Sequence, residues 1–397
     1  MRLAIVNHLG DVGAGAEHSL LQFLMRLPAS VEPVFFFFED GAFAQSMRER
    51  FGSVTIVPMS ARVASAKRDP LPFGAIPDSL SVAWRLTKAL RAAAPDMVLT
   101  NSMKAHIIGS LAAKAAGLPC VNYVHDIVRG RALALLQVIS RLCAVERLTC
   151  SNAVSASLNI APSTAVYAPI EVARYKNLPD RTQALAALGL PDDGLPVVSL
   201  VGRIARWKGQ DRFIRIALEI LKETDAHFVI VGSPIFGCDA AYVPELHAAV
   251  AAAEAQQRIH FVSWQNDMRN IYGASDICAN CSTAEPFGRT SLEALASGIP
   301  IVCFDDSGIC EVFRQGQGGT HVPAGDEVAF AHAVRCYLTD SHLLATARVD
   351  AALTAEPLDI AKVYHTFAEV ILRVSLSQGR APRWDTVLGI PAPVVPK

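Results

Sequence analysis

The chain has 397 residues, 51% of them apolar and 18% charged, with a formal net charge of −1. That length exceeds one ordinary core and points to two domains, and the apolar content excludes an intrinsically disordered chain. Near-neutral charge removes nucleic acid as the main partner, and no apolar run approaches the ~18 residues of a membrane span.

The N-terminus reads Met1-Arg2 and passes directly into a strand, without the apolar core of a signal peptide, so a cytoplasmic location is expected. The first half alternates short apolar runs with helical patterns. Leu3 to Val6 is a buried strand, and a Gly-rich stretch from Asp11 to Ala16 follows it. Glu17 to Leu27 then carries Leu20, Leu21, Leu24 and Leu27 at helical spacing. Val34 to Phe38, Val54 to Pro58 and Met97 to Thr100 read as strands. Helices are predicted over Val82 to Ala94 and over Lys104 to Ala116, the second closed by Gly117. Cys120 to Val124 is a strand that ends in His125-Asp126. Residues 176–195 are polar and punctuated by Pro179, Pro191 and Gly194, and read as an interdomain linker.

A second alternating block follows. Its strands are Val197 to Val201, Phe228 to Val231, Ile259 to Phe261, Ile277 to Ala279 and Ile301 to Phe304. Helices fall between them at Asp211 to Lys222, Pro244 to Glu254, Met268 to Gly273 and Thr290 to Ala296. Strands alternating with helices predict parallel sheets with right-handed crossovers. The expected fold class is α/β: two doubly wound, Rossmann-like domains, residues 1–175 and 196–357, facing each other across a cleft. A helix over about 358–375 is expected to pack back on the first domain, and a Pro-rich tail occupies 376–397. In such sheets ligands bind at the carboxyl ends of the strands.

Nine cysteines lie scattered, several in apolar segments (Cys120, Cys143, Cys303, Cys336), as buried thiols of a reducing compartment do. Cys278 and Cys281 form a C-x-x-C, but no second pair or His cluster stands at zinc spacing. Two thiols at a strand end is the preferred reading, and no metal site is expected.

Four clusters carry chemistry. Gly202-Arg203 and Lys208-Gly209 follow a buried strand, where an Arg fork and a Lys point charge suit a diphosphate. Basic strand-to-helix loops are common, so this segment alone is equally a solvated surface. Glu285-Pro286-Phe287-Gly288-Arg289-Thr290 then opens a helix, whose unpaired amides favour an anion by about 0.3–2 kcal/mol. Glu293 lies one turn in, where a carboxylate can accept from a ribose diol. Acidic residues near a helix start are favoured in any case, but two of them around a Pro-Phe-Gly turn are harder to dismiss. The third cluster, Gly13-Ala14-Gly15-Ala16-Glu17, lets backbone approach a ligand closely without completing a dinucleotide fingerprint. The fourth is His125-Asp126, which a simple loop cap would also explain.

The Glu285 to Glu293 segment resembles the E-x-F-G-x₄-E motif of glycosyltransferase family 4, retaining enzymes of the GT-B fold. Gly202-Arg203 and Lys208-Gly209 resemble that family's Arg and Lys pair in order and spacing. Tyr272 to Asp276, and Gly308 with Glu311, are similar as well. The resemblance is strong over 197–326 and looser before. It implies a nucleoside diphosphate sugar donor, UDP first and GDP next, and transfer of a hexosyl group to a saccharide, lipid-linked saccharide or small-molecule acceptor. No cofactor or metal is implied, because Arg203 and Lys208 neutralise the leaving diphosphate. Glu293 would hold the ribose and Glu285 the transferred sugar. Gly202, Phe287, Gly288, Arg289 and Thr290 would line the phosphate. Gly13, Gly15 and Ala16 would face the donor from the acceptor domain, and His125 would line the reaction centre.

Two positions depart from the pattern. Ser263 stands where Gly is usual, near the nucleobase, which leaves base choice open. Ala168-Pro169-Ile170 replaces Asn-Gly-Val at the domain crossing, a structural change. A nucleotide-sugar epimerase on the same fold and a non-catalytic partner subunit are the competing readings; the retained charges disfavour the second. Residues 1–175 are net basic and the rest net acidic. With Arg129, Arg131 and Arg141 flanking apolar Ala132 to Ile139, that allows peripheral contact with the inner membrane surface, although a core-facing helix explains the pattern too.

Overall fold

The computed structural model describes residues 1–10, 15–64, 76–234, 241–265 and 267–377. Two compact units divide the chain: Met1–Pro169 with Ile360–Lys397, and Ile170–Asp359.

Unit 1 holds a seven-stranded sheet: β1 (Arg2–Asn7), β2 (Glu32–Phe37), β3 (Val54–Ile56), β4 (Met97–Thr100), β5 (Cys120–Val124), β6 (Glu146–Thr149) and β7 (Thr164–Ala165). Their order is β3-β2-β1-β4-β5-β6-β7, and every pairing is parallel. Unit 2 holds six strands: β8 (Val197–Val201), β9 (His227–Val231), β10 (Ile259–Val262), β11 (Ile277–Asn280), β12 (Ile301–Phe304) and β13 (Gly319–Val322). The order here is β10-β9-β8-β11-β12-β13, again parallel throughout. Central strands are buried end to end, which is why they read as unbroken runs of Val, Ile, Leu and Phe. Each sheet reverses its winding once, between β1 and β4 and between β8 and β11. Those switch points open a crevice at the strands' carboxyl ends, where ligands of doubly wound folds sit.

The expected linker is a folded part of unit 2. Asp180 caps a helix at Arg181–Leu188 through its bond from the Thr182 amide, and Gly189 ends it in a left-handed conformation. Arg181 bonds Asp276 Oδ2 at 3.0 Å and the Leu195 carbonyl at 3.0 Å, and Arg348 holds the same carboxylate at 2.7 Å. The polar, Pro- and Gly-marked residues are therefore caps and turns. The two crossings between units lie at 169/170 and 359/360 instead.

The C-terminal helix, Ile360–Ser377, belongs to unit 1. Phe367 stacks on Phe23 with ring centroids 4.5 Å apart, and Arg373 reaches Glu146 at 2.6 Å. Most of the tail, 378–397, lies outside the described residues.

Candidate active site

β8 delivers Gly202, whose amide donates to the Val231 carbonyl at 3.0 Å and turns the chain across the end of β9. A 3-10 turn, Arg206–Lys208, then closes on Gly209 at φ 73°. A Cβ at Gly209 would stand 2.2 Å from the Cys281 carbonyl oxygen, so this loop is pressed onto the end of β11. The turn folds Lys208 back over Gly202 and aims its Nζ at Glu285 Oε2, 2.5 Å away. Both side chains are largely buried, at 16% and 8% exposure. Trp207 stands beside both cations, its ring 4.3 Å from Lys208 Nζ and 5.6 Å from the Arg203 guanidinium. Arg203 is half-buried, and its guanidinium has no hydrogen bond or ion pair among the described residues.

The second loop leaves β11 at Asn280. Asp306 Oδ2 accepts the Ala284 amide at 2.9 Å, and the Glu285 carbonyl accepts the Gly308 amide at 2.8 Å. These bonds fix the carboxylate of Glu285 beside Lys208. The helix Arg289–Ala296 begins after Gly288, and Thr290 Oγ1 donates to the Val201 carbonyl at 2.9 Å, tying the helix start to β8. Asn280 Nδ2 reaches Ser291 Oγ at 3.0 Å from below. Glu293 is buried one turn in, accepting from the Tyr272 hydroxyl at 3.1 Å and facing Arg289 Nη2 at 3.4 Å. Burial and this carboxylate hold the Tyr272 phenol well above its ordinary pKa and raise Tyr175 as well. Both phenols therefore stay protonated and able to donate toward Glu293.

Gly202, Arg203, Lys208, Glu285, Phe287, Gly288, Arg289, Thr290 and Glu293 thus all lie in unit 2, on the two loops that flank its switch point. Phe287 is buried as a side chain, so only its backbone is suited to a ligand. Sequence reasoning missed Trp207, Tyr175, Asn280 and Ser282; the last two line a small polar depression with Val201, Lys208 and Thr290. Polar residues at the end of an otherwise apolar strand were the available signal. Among the described residues no group of three or more His, Cys, Asp or Glu side chains is placed to hold a metal ion. Cys278 and Cys281 are buried thiols, and burial pushes Cys278 up to about 12.

His125, Gly15 and Ala16 belong to unit 1, and Gly13 lies outside the described residues. Gly15 and Ala16 form the first turn of the helix Gly15–Leu24. His125 follows β5, with Nε2 2.9 Å from Asn101 Oδ1 and its ring 4.0 Å from that of Tyr123. With that oxygen accepting, Nε2 carries the proton and Nδ1 keeps the lone pair. Burial pushes the imidazole down to about 4, against a smaller opposing pull from Asp126. The folded protein therefore holds His125 neutral, whereas the unfolded chain takes up a proton below about 6.5. A depressed folded pKa stabilises above the unfolded value and is lost as pH falls toward the folded one. From pH 6.5 to about 4 this residue should remove up to about 1.4 kcal/mol of stability per pH unit. Denaturant midpoints measured across that window should fall less steeply in His125→Gln; an unchanged slope would exclude a neutral imidazole in the folded protein.

Two α/β units, each built on an all-parallel sheet with one switch point, are the architecture of the GT-B fold. Solved structures agree on the fold. The Anabaena protein Alr3699/HepE, solved with UDP-glucose, superimposes with a TM-score of 0.79 at 22% identity, over 94% of this chain and 99% of that one. WaaG, a glycosyltransferase involved in lipopolysaccharide biosynthesis, gives 0.67 at 14% identity, over 93% and 99%. The family description "Glycosyl transferases group 1" matches residues 183–352. The lipopolysaccharide core biosynthesis mannosyltransferase LpsB of Rhizobium meliloti is 30% identical over 239 residues, 58% of this chain and 67% of that protein. LpcC of Rhizobium leguminosarum, of the same description, is 29% identical over 213 residues, 52% of this chain and 60% of its own length. The chain belongs to the glycosyl transferases group 1 family.

Proposed function

We propose that the protein is a retaining glycosyltransferase that moves a hexosyl group from a nucleoside diphosphate sugar to an acceptor hydroxyl. The observation that carries this reading is the convergence of Arg203, Lys208 and the buried Glu293 at the β8/β11 switch point. Among the described residues the Arg203 guanidinium has no hydrogen-bond partner, which leaves its fork for phosphate oxygens, and Lys208 adds a charge in a partly dry site. A diphosphate leaving group gains negative charge as its bond to the anomeric carbon breaks, and two fixed cations stabilise that charge without a metal. The acceptor oxygen then bonds to the anomeric carbon on the face the diphosphate leaves, and its proton passes to the departing phosphate. Glu293 is placed to accept from a ribose diol beyond the phosphates, and Glu285 stands where the transferred sugar would lie.

UDP and GDP sugars are the donors to test first. Two relatives are described as lipopolysaccharide core mannosyltransferases, which favours a mannosyl donor and a lipid-linked saccharide acceptor for this chain. Thermal-shift measurements against UDP, GDP and their sugars test the reading, since a ligand of the folded state raises the melting temperature by mass action. Binding of none of them, or loss of turnover in EDTA that Mg²⁺ restores, would overturn it. Donor consumption that yields free nucleoside diphosphate only with an acceptor separates transfer from epimerisation.

We further infer a peripheral contact between unit 1 and the inner membrane surface. No helix among the described residues is long and apolar enough to cross one. The helix Gly130–Cys143 nevertheless exposes Val138 and Leu142 beside exposed Arg131 and Arg141, a face suited to an anionic lipid surface. Co-sedimentation with phosphatidylglycerol vesicles should be salt-sensitive and should drop in Leu142→Glu; binding equal to that of neutral vesicles would argue against it.

A further inference from the structure

We propose that Cys303 and Cys310 are a reversible dithiol–disulfide site, oxidised by a low-molecular-weight disulfide such as oxidised glutathione, that acts on the loop carrying Glu285. The effect on donor binding rests on the function proposed above; the covalent chemistry does not.

Cys303 lies fully buried on β12, and Cys310 lies half-buried on the following 3-10 turn, Gly308–Glu311. Their Sγ atoms are 3.5 Å apart, and the Cys310 thiol is also 3.4 Å from the Phe304 carbonyl. The two thiols titrate differently. A hydrogen bond from Cys303 holds Cys310 below its ordinary value against the effect of burial, whereas Cys303 is raised well above. Cys310, the less buried of the two, is thus the better nucleophile and Cys303 the better resolving thiol.

The step balances. The Cys310 thiolate attacks one sulfur of oxidised glutathione, forming a mixed disulfide and releasing one glutathione thiolate. Cys303 loses its proton, attacks the Cys310 sulfur and releases the second glutathione. Two protein thiols are oxidised, and one small disulfide is reduced to two thiols.

A disulfide needs its sulfurs about 2.05 Å apart, so the pair must close by roughly 1.5 Å. β12 cannot supply that movement, because Cys303 is in register with Asn280 on one side and His321 on the other. The turn must move, and it is fastened to the donor loop. The Gly308 amide donates to the Glu285 carbonyl at 2.8 Å, and a Cβ at Gly308 would stand 2.2 Å from the Pro286 oxygen. A Cβ at Gly288 would stand 3.4 Å from Ile309 Cβ. Drawing Cys310 toward β12 therefore disturbs the backbone that aims Glu285 at Lys208.

The test holds the full chain at graded ratios of oxidised to reduced glutathione, then digests it with trypsin without reduction. Residues 290–314 form one tryptic peptide that contains both cysteines and no other. At the oxidising end that peptide should be lighter by two hydrogens, and dithiothreitol should reverse the change. UDP and GDP thermal shifts, measured on the same samples, should fall at least about threefold in apparent affinity on oxidation. Cys310→Ser should keep the wild-type shift under both conditions. Two alkylatable thiols at the oxidising end, or a glutathione adduct on Cys310 without the internal disulfide, would overturn the site. A disulfide that leaves nucleotide shifts unchanged would overturn its link to Glu285. If the reduced protein binds neither nucleotide, the donor reading fails while the peptide masses still decide the disulfide.

Discussion

Replacing Lys208 by Ala should lower kcat/KM by about 100- to 1000-fold, the cost of losing one pre-positioned donor to a developing charge. The same change should weaken nucleoside diphosphate binding less, because Arg203 remains. Stability should suffer too, for a reason separate from catalysis. Lys208 and Glu285 form a close pair at 2.5 Å, with 16% and 8% exposure. Removing only the cation leaves a buried carboxylate uncompensated, which typically costs about 3–5 kcal/mol, somewhat less where the partner is partly wet. The double variant Lys208→Ala with Glu285→Gln, compared with Glu285→Gln alone, separates the two effects. It should regain most of the lost stability in denaturant titration while activity stays low. If restoring the fold also restored turnover, Lys208 would be a structural partner of Glu285 and nothing more.

That pairing marks a boundary of what the sequence shows. Lys208 and Glu285 each stand out at a strand's carboxyl end, yet 77 residues separate them. Their salt bridge depends on the β8–β11 neighbourhood, which is a topological fact that local pattern does not encode. Strands buried on both faces were legible because both faces demand apolar side chains. β6 was not, because Glu-Arg-Leu-Thr reads as polar. In the fold Arg147 is buried by bonding the Ser140 and Ala144 carbonyls, and Arg373 reaches in to Glu146. Residues 176–195 misled for the converse reason. Pro, Gly and Asp signal breaks in regular structure, and a capped two-turn helix inside a domain has as many breaks as a linker. Asn280 and Tyr175 escaped because each acts through partners that only folding supplies.

Glu293→Gln should raise the donor KM by about 10- to 100-fold, the usual loss when a charged hydrogen-bond acceptor is replaced by a neutral one. The carboxylate is buried, and its oxygens face the Tyr272 hydroxyl and Arg289, so its geometry is set before any ligand arrives. Gln keeps the shape and one acceptor oxygen, which limits the structural damage. The amide can turn its oxygen to Arg289 and donate its NH2 to the Tyr272 hydroxyl, which accepts it while still donating to the Thr290 carbonyl. The loss is then chiefly that of the charge, with the Tyr272 contact reversed in direction. A ribose-specific role makes a sharper demand than a general loss of affinity. The wild-type protein should prefer UDP over 2′-deoxy-UDP, or GDP over its deoxy counterpart, and Glu293→Gln should flatten that preference. Tyr272→Phe should flatten it partly, since it removes one of the groups that aim the carboxylate. Equal loss of ribose and deoxyribose nucleotides in Glu293→Gln would move the residue's role from the sugar ring to the electrostatics of the helix start.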